Sequence, residues 1–530
     1  MPNYLSPGVY MEEVDRGSKP IEAVGTAVAA FIGYTERAVT EKNGEKLSLV
    51  GKPQLVTNWS QYVQYFGGFI AGAYTPDSVY GYFANGGGIA YIVSVKTLGT
   101  SDDPSKTKAA EVTVQSNEDK PANLVKFMAK EGGPVGNGVE VAIKHVPPAL
   151  PEGDADGKAA DAKPSEFIVM VKVDGRTVER FDGLITQKGD NNVATVLEEQ
   201  SQLVTAEVLS TKANVVPAAG SVALEGGSVE TKAITLADYQ GSVAERVGLG
   251  GLEPIDDVTM VCAPDLMSAY ESGELDMKGV QSVQQAIIDY CELVRYCFAI
   301  LDCPPGLMPQ EMKEWRYEVN YDTTRAALYY PWFEVADQTG SNGRTRMVPP
   351  SGHVAGVYAR TDNTRGVHKA PANELVRAIV GLEVNVTKGE HDLLNPSGIN
   401  VTRSFPGRGI RIWGARTLSS DPAWRYINVR RLFNMIEESI ERGTQWVVFE
   451  PNDPFLWGRI RRDVGAFLTN VWRTGALFGT TPSQAFYVKC DEETNPPSQR
   501  DLGQLVVEIG ISPTKPAEFV IFRVSQWQPE

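Results

Sequence analysis

Histidine, cysteine and long apolar runs are scarce in this sequence, and each scarcity argues against a class of protein. Among 530 residues there are four histidines and five cysteines. The odd number of cysteines, most of them in segments that we predict to be buried, favours free thiols over a disulfide framework. No run of about 18 apolar residues occurs, which argues against a membrane-spanning helix. The first residues have no basic stretch followed by an apolar one, so we expect no secretory signal peptide.

Sequence motifs of catalysis and metal binding are missing as well. There is no Gly-x-x-x-x-Gly-Lys-Ser/Thr, no His-Glu-x-x-His, no Gly-x-Ser-x-Gly and no Cys-x-x-Cys. His353 and His368 lie near each other in sequence, but no cysteine or carboxylate stands beside them at the spacing of a metal site. We therefore predict no cofactor, no metal site and no catalytic residue.

The balance of charge excludes a further class. The chain holds 50 Lys and Arg against 66 Asp and Glu, a formal net charge of −16. A general nucleic-acid binder needs a basic surface that displaces counterions from phosphates. We therefore expect no nucleic-acid partner.

Residues 101–240 differ in composition from the rest of the chain. They contain no tryptophan, two arginines, twelve lysines and 22 acidic residues, which is half of the net charge in about a quarter of the length. Alternating apolar residues predict strands, and Asp174-Gly175 between two such runs predicts a hairpin. We interpret this region as a separate, mainly β domain inserted into another domain.

The remaining sequence, about 21–100 and 241–512, alternates strand and helix patterns. Strand-like runs at Val258 and Phe298 flank apolar residues at helical spacing, which predicts a strand–helix–strand unit. A helix over 429–442, a strand over 445–450 and a long helix from Pro454 to Arg473 follow. We predict a multi-domain α/β (α+β) fold with a mixed-sheet core built from the N- and C-terminal parts of the chain.

Both ends of the chain, 1–20 and 513–530, have the pattern of isolated strands beside linker-like residues. A strand needs partners for its backbone groups. Two interpretations stay open from the pattern alone: each strand pairs with a sheet of its own chain, or each is an arm that completes a sheet in a neighbour.

Residues 400–475 form an arginine-rich region within this acidic chain. They hold twelve arginines, no lysine and seven acidic residues. Arg459, Arg461 and Arg462 cluster on the predicted helix after Pro454. The arginines either pair with acids of the same domain or form a basic face for an acidic protein partner, which a planar guanidinium suits.

Several long motifs resemble one known family, the contractile tail sheath proteins. They are Tyr4-Leu-Ser-Pro-Gly-Val-Tyr, Pro349-Pro-Ser-Gly-His-Val-Ala-Gly-Val-Tyr-Ala-Arg-Thr-Asp-Asn-Thr-Arg, Leu394-Asn-Pro-Ser-Gly-Ile-Asn-Val, Phe405-Pro-Gly-Arg-Gly-Ile-Arg-Ile-Trp-Gly-Ala-Arg-Thr-Leu, Trp424-Arg-Tyr-Ile-Asn-Val-Arg-Arg and Phe449-Glu-Pro-Asn-Asp. The resemblance covers about 1–100 and 245–530. It does not extend to 101–240, which agrees with a family whose outer domain varies.

The resemblance implies a structural subunit without enzymatic activity. Such proteins polymerise as stacked hexameric rings around an inner tube and contract from a metastable extended state, which drives the tube through a target envelope. The implied partners are further copies of the chain, the inner tube protein, and baseplate and terminator proteins, with no membrane insertion. The implied setting is a phage tail or tail-like injection particle assembled in the bacterial cytoplasm.

The resemblance also implies where the contacts between subunits lie. Intersubunit arm strands are expected at Val9, Tyr10, Met11 and Glu12, and at Phe519, Val520, Ile521, Phe522 and Val524. The part at about 400–512 is expected to face the tube, with Arg459, Arg461 and Arg462 as candidate contacts. Residues 101–240 are expected to face outward. Arg360, Asp362, Asn363 and Arg365, in the longest motif, are expected to form a buried polar network.

Two other functions remain as alternatives. One is an α/β enzyme with an inserted cap domain, which would use Asp302 or His353 at strand ends. The other is a surface adhesin with 101–240 as its binding module. Loss of activity in Asp302→Ala would support the first, and binding of cells or glycans by the isolated insert would support the second.

Overall fold

The computed structural model describes residues 20–42, 45–99, 107–118, 120–146, 166–173, 175–210, 215–229, 232–339 and 345–524. The predicted arm strand at Val9, Tyr10, Met11 and Glu12 lies outside these ranges.

The first region, up to residue 99, contributes strands to the centre of the molecule. Its elements are β1 (Val28–Thr35), β2 (Val39–Lys42), β3 (Glu45–Ser48), β4 (Gln54–Val56), α1 (Trp59–Phe66), α2 (Thr75–Asn85) and β5 (Ile89–Thr97). Seven of the eight residues of β1 are buried. Such a nearly continuous buried run is typical of a parallel strand that is covered on both faces.

Residues 107–229 form small antiparallel sheets around their own hydrophobic cluster. The elements are β6 (Thr107–Lys108), β7 (Glu111–Gln115), β8 (Asn123–Ala129), β9 (Val139–His145), β10 (Phe167–Val173), β11 (Arg176–Leu184), α3 (Val193–Gln200), β12 (Val204–Val208), β13 (Gly220–Ala223) and β14 (Ser228–Val229). The predicted hairpin is confirmed, because β10 and β11 pair with Val173 opposite Arg176. Phe127, Phe167 and Leu197 belong to the cluster.

Strands and helices alternate from residue 232 to residue 418. The elements are α4 (Leu236–Gln240), α5 (Gly248–Leu252), β15 (Met260–Cys262), α6 (Asp265–Glu271), α7 (Met277–Val294), β16 (Phe298–Asp302), α8 (Pro309–Val319), β17 (Ala326–Tyr330), β18 (Phe333–Ala336), β19 (Thr345–Val348), α9 (Ser351–Arg365), β20 (Glu374–Leu375), β21 (Gly381–Leu382), α10 (Lys388–Leu394), β22 (Ile399–Phe405) and β23 (Gly409–Ile412). The predicted strand–helix–strand unit is β15–α7–β16, and its two strands are parallel.

Helices dominate the last region, from residue 419 onward. The elements are α11 (Ile427–Gly443), α12 (Pro454–Arg473), α13 (Pro482–Ala485), β24 (Phe486–Lys489), α14 (Pro497–Arg500) and β25 (Glu508–Ile511). The predicted strand over 445–450 is wrong. Gln445–Val447 is a single 3₁₀ turn, and Phe449 has a positive φ of 68° and an exposed side chain.

One large mixed sheet holds the molecule together. In the described part of the chain it has nine strands in the order β20–β23–β22–β17–β16–β15–β1–β5–β4. The six strands from β22 to β5 are parallel, and antiparallel strands close both edges. Because β1 lies between β15 and β5, the N- and C-terminal parts of the chain build the core jointly, as predicted.

Helices cover both faces of this sheet. α7 packs on one face through Val283 and Ile287. α2 and α9 pack on the other face, and they approach closely because a Cβ on Gly356 would lie 2.5 Å from the carbonyl oxygen of Tyr82. None of the helices in the described ranges combines the length and the apolar character that a membrane crossing needs.

Candidate assembly surfaces

The C-terminal region ends in a two-stranded sheet beside α12. β24 and β25 are antiparallel, and among the described strands each pairs only with the other. An isolated pair of strands is marginally stable, and each outer edge presents backbone donors and acceptors that suit a further strand. This sheet therefore has the geometry of an acceptor for added strands.

The chain then continues as an exposed apolar segment. Pro513 bridges to Leu477, and the N–H of Thr514 donates to the carbonyl of Ala476, so the chain is still bound to its own body at that point. Beyond it, five apolar side chains are largely exposed: Phe519 (71%), Val520 (68%), Ile521 (78%), Phe522 (85%) and Val524 (95%). No described residue from 514 to 524 belongs to a strand. The alternative in which this segment pairs with its own sheet is therefore wrong for these residues.

Helix α12 has the bounds predicted for it. Asp453 caps it by accepting from the N–H of Leu456, and Pro454 occupies the first helical turn, where its missing N–H costs nothing. The buried face packs on the C-terminal core through Leu456, Trp457, Ile460, Val464, Phe467, Leu468 and Val471. The opposite stripe is exposed and consists of Phe455, Arg459, Arg462, Ala466, Asn470 and Arg473.

The three candidate arginines do not share one face. Arg459 and Arg462 belong to the exposed stripe, where the guanidinium of Arg459 lies 4.1 Å from the ring centroid of Trp446. Arg462 contacts Asp463 at 3.0 Å. Arg461 lies elsewhere around the helix and donates to the carbonyl of Cys490. The helical rotation of about 100° per residue separates neighbours in this way.

Other arginines of the 400–475 region bond within the chain. Arg431 forms a bidentate pair with Asp362 at 3.0 and 2.6 Å, and both side chains are buried. Arg430 pairs with Glu437 at 2.9 Å, and its guanidinium lies over the ring of Trp424. The two interpretations of this region therefore apply to different arginines: internal pairing holds for α11, and an exposed basic stripe lies on α12.

The longest signature motif forms α9, and part of it enters a polar network. Arg360 donates to the carbonyl of Asn85 at 2.9 Å. Asp362 accepts from the hydroxyl of Thr26 at 2.7 Å as well as from Arg431. Asn363 and Arg365 are exposed, so the expectation of a buried network is wrong for these two residues.

The residues considered for catalysis are enclosed by the core. Asp302 is 3% exposed and accepts from the N–H and the hydroxyl of Ser351, at 2.8 and 2.6 Å. It thereby caps the first turn of α9, where a carboxylate faces the positive end of the helix dipole. Burial raises the pKa of Asp302 to about 7.

His353 is 1% exposed, its ring meets that of Phe333 edge-on, and burial lowers its pKa to about 4. A substrate would have to open the core to reach either side chain. Within the described ranges, no group of three or more His, Cys, Asp or Glu side chains is placed to hold a metal ion.

One polar site was not predicted from the sequence. Glu518, directly before the exposed apolar segment, accepts hydrogen bonds from Asn395, Arg416 and Tyr426. Its partners lie about 90 to 120 residues earlier in the chain, so no local pattern joins them. The sequence signal that could have pointed to this site is the position of Glu518, an acidic residue between a proline-containing linker and an apolar run.

Family models and relatives agree on one protein class. The model described as phage tail sheath protein central domain matches residues 256–418, and the model described as phage tail sheath C-terminal domain matches residues 419–526. Together they cover just over half of the chain. The tail sheath protein of Vibrio phage KVP40 is 32% identical over 183 residues, which is 34% of this chain. The chain spans 26% of that relative's length, and it spans 64% and 27% of two other tail sheath relatives.

Solved structures show a similar fold over nearly the whole chain. The helical sheath of the anti-feeding prophage in its contracted state has a TM-score of 0.57 and 23% identity, covering 98% of this chain and 99% of that chain. The six-fold symmetrised baseplate of the same particle contains a chain with a TM-score of 0.55 and 22% identity, covering 99% of this chain and 100% of that chain.

Proposed function

Because the chain belongs to the phage tail sheath family, we propose that it is the structural subunit of a contractile sheath. It polymerises as stacked hexameric rings around an inner tube, and contraction from a metastable extended state drives the tube through a target envelope. The observation that carries this proposal is the exposed apolar segment from Phe519 to Val524, which has no partner strand among the described residues. The helical sheath and the six-fold baseplate in which similar folds occur support it.

The terminal segments act as arms that link neighbouring copies. The C-terminal segment at Phe519–Val524 and the N-terminal segment at Val9–Glu12 each add a strand to a sheet of another copy, by backbone hydrogen bonding along an open edge. The β24–β25 sheet supports this role, since it offers two such edges. Full burial of one Val, Ile or Phe side chain contributes about 1.5–3 kcal/mol. Five such side chains contribute on the order of 10 kcal/mol, before the entropy of ordering the arm is subtracted.

The arms explain how a sheath stays connected while it contracts. A strand joined to its body by a linker keeps its hydrogen bonds when the bodies rotate and slide past each other. The energy of contraction is then stored in the assembled lattice, and no nucleotide or cofactor takes part. We assign the chain no catalytic role, which the enclosure of Asp302 and His353 supports.

The exposed stripe of α12 faces the inner tube. Arg459, Arg462 and Arg473 lie on this stripe, and it contains no acid, so it suits a tube surface rich in carboxylates. Arg461 makes a smaller contribution, because it donates to the carbonyl of Cys490.

Each region of the chain has its own role in the proposed sheath. Residues 1–20 and 513–530 are the arms, 21–100 and 241–512 are the core, and about 400–512 face the tube. Residues 101–240 form an outer domain, and their excess of acidic residues opposes side-by-side aggregation of particles. Further partners are baseplate and terminator proteins, and the sheath is assembled in the bacterial cytoplasm as part of a phage tail or tail-like particle.

Truncation of the arms tests the proposal. A chain that ends at Glu518, and a second chain that lacks residues 1–17, should fold and stay monomeric, because each has lost one of the linking strands. A control chain that ends at Trp527 keeps the whole apolar run and should assemble. Electron microscopy of negatively stained samples distinguishes these outcomes, and normal hollow cylinders from both truncated chains would refute the role of the arms.

A further inference from the structure

The carboxylate of Glu518 occupies a pocket that supplies four hydrogen bonds. Oε1 accepts from Nδ2 of Asn395 and from Nε of Arg416, both at 2.8 Å. Oε2 accepts from Nη2 of Arg416 at 2.8 Å and from the hydroxyl of Tyr426 at 2.9 Å. The side chains of Arg416 and Glu518 are 11% and 19% exposed. A bidentate, largely buried guanidinium–carboxylate pair of this kind is among the stronger polar contacts in proteins.

One bond within the pocket does not involve the carboxylate. Nη1 of Arg416 donates to the carbonyl of Asn395 at 3.2 Å, which fixes the guanidinium. Asn395, Arg416 and Tyr426 come from three separate signature motifs, and their side chains meet at one carboxylate. Burial alone would raise the pKa of Glu518, but the bonds from Arg416, Asn395 and Tyr426 hold it below its usual value. The pocket therefore favours an ionised carboxylate.

The chain just before Glu518 is held on its own body. Thr514 is tied to its own body, because its carbonyl accepts from Asn428 and its hydroxyl donates to Gly475. The four residues from 515 to 518 span at most about 14 Å when fully extended. Glu518 therefore stays within reach of the pocket of its own chain, which holds it in this structure, and the exposed apolar run begins at the next residue.

We propose that Glu518, held by Asn395, Arg416 and Tyr426, is the fixed point from which the C-terminal arm leaves its own body. This inference rests on the proposed function, in which the segment after Glu518 links neighbouring copies. The linking segment then starts at Phe519 and not at residue 513, and Glu518 fixes the point where it begins. Without the pocket, the arm would gain four residues, or about 14 Å of slack, between the body and the neighbouring sheet. The pocket sets the working length of the link between rings.

Chymotrypsin cleavage of the monomeric full-length chain tests the anchoring, because the arm carries one cleavage site beside Glu518, at Phe519, and a second at Phe522; a third, at Trp527, lies farther along and is not scored. Cleavage after Phe519 requires the protease to bind the neighbouring Glu518 in an extended conformation, whereas Phe522 lies four residues beyond Glu518. We expect the native chain to be cut after Phe522 at least tenfold faster than after Phe519, once both rates are corrected with a synthetic 515–524 peptide. Arg416→Met leaves the cleaved sequence unchanged, and it should accelerate cleavage after Phe519 at least tenfold while leaving Phe522 unaffected.

Two further variants keep this test decisive if Arg416→Met folds poorly. Glu518→Gln lies in the terminal segment and removes the charge without changing the side chain's shape, so it should also accelerate cleavage after Phe519, relative to a peptide carrying the same change. The matched control is Arg408→Met, which changes an exposed arginine close to Arg416 in sequence. It should leave the cleavage rates after Phe519 and after Phe522 unchanged. Equal corrected rates after Phe519 and Phe522 in the native chain would overturn the anchoring. So would the absence of acceleration after Phe519 in both Arg416→Met and Glu518→Gln.

The working length of the link is tested in assembled sheaths. Electron micrographs of native sheaths should give a sharp axial layer line, and Glu518→Gln sheaths should give a layer line that is shifted or broadened. An unchanged layer line together with fast cleavage after Phe519 would reject the length-setting role. The cleavage assay needs no assembly, so it tests the anchoring separately from the proposed function. Failure of the proposed linking role would instead show as normal cylinders from the chain that ends at Glu518.

Discussion

The buried pair of Arg431 and Asp362 gives a sharp prediction about what stabilises the core. It joins α11 to α9, and Thr26 beside β1 bonds to both partners through its hydroxyl and its carbonyl, at 2.7 and 2.8 Å. Asp362→Ala would leave the guanidinium of Arg431, which is 4% exposed, without its counter-charge. Stranding one member of a buried pair costs about 3–5 kcal/mol. For a core of roughly 350 residues, with an unfolding entropy of about 2.1 cal/mol/K per residue, we expect the Tm to fall by roughly 5 °C.

Tryptophan fluorescence during heating measures this loss selectively, because residues 101–240 contain no tryptophan. The chain should be kept at a concentration where it is monomeric, since assembly would add stability by mass action. The double variant Arg431→Met with Asp362→Ala removes the stranded charge, so it should lose less than the sum of the single changes. Asp257→Ala is the control, because it breaks the exposed pair with Arg442, which is worth about 0–1 kcal/mol. The reasoning would be refuted if the Asp362→Ala chain had the same Tm as the Asp257→Ala control. It would also be refuted if the loss of stability in the double variant equalled the sum of the two single losses.

Two further predictions concern the tube face and the pH dependence of the core. Charge reversal at Arg459 and Arg462 should weaken sheath assembly on tubes, measured by co-sedimentation, and leave self-assembly unchanged. The control Arg365→Glu should change neither. Equal binding of the reversed and native chains to tubes would show that this stripe of α12 does not face the tube. Because Asp302 has a pKa of about 7 in the folded chain and 3.8 as its ordinary value, the folded chain keeps a proton between these values that the unfolded chain has lost. The contribution of Asp302 to stability should therefore fall as pH rises from about 4 to 7 and level off above. Asp302→Asn should remove this contribution, so the difference in Tm between the native chain and the variant should change with pH over this range; a constant difference would contradict the assignment.

Sequence patterns predicted the elements whose signals are local. The bounds of α12 agree with prediction because Asp453 and Pro454 mark its start and its apolar spacing continues to Arg473. The strand over 445–450 was predicted wrongly from the same kind of local reasoning. Its β-branched and aromatic residues favour a strand, but a strand needs a neighbour, and here the chain turns so that Trp446 meets Arg459 of α12.

The candidate surfaces depend on contacts that a local pattern does not contain. Arg459, Arg461 and Arg462 are close in sequence, yet the helix rotation and the carbonyl of Cys490 place Arg461 apart from the other two. Glu518 was missed for a related reason. Its role follows from three side chains that lie in separate motifs and meet only in the folded chain. In the sequence, those motifs indicate a family resemblance but not a contact with Glu518.

Electron microscopy of the purified full-length chain, alone and then with its inner tube protein, tests the central claim most directly. We predict hollow, regularly striated cylinders in at least one of the two samples, with six subunits in each ring. Dispersed single chains in both samples would contradict the assignment of this protein as a sheath subunit.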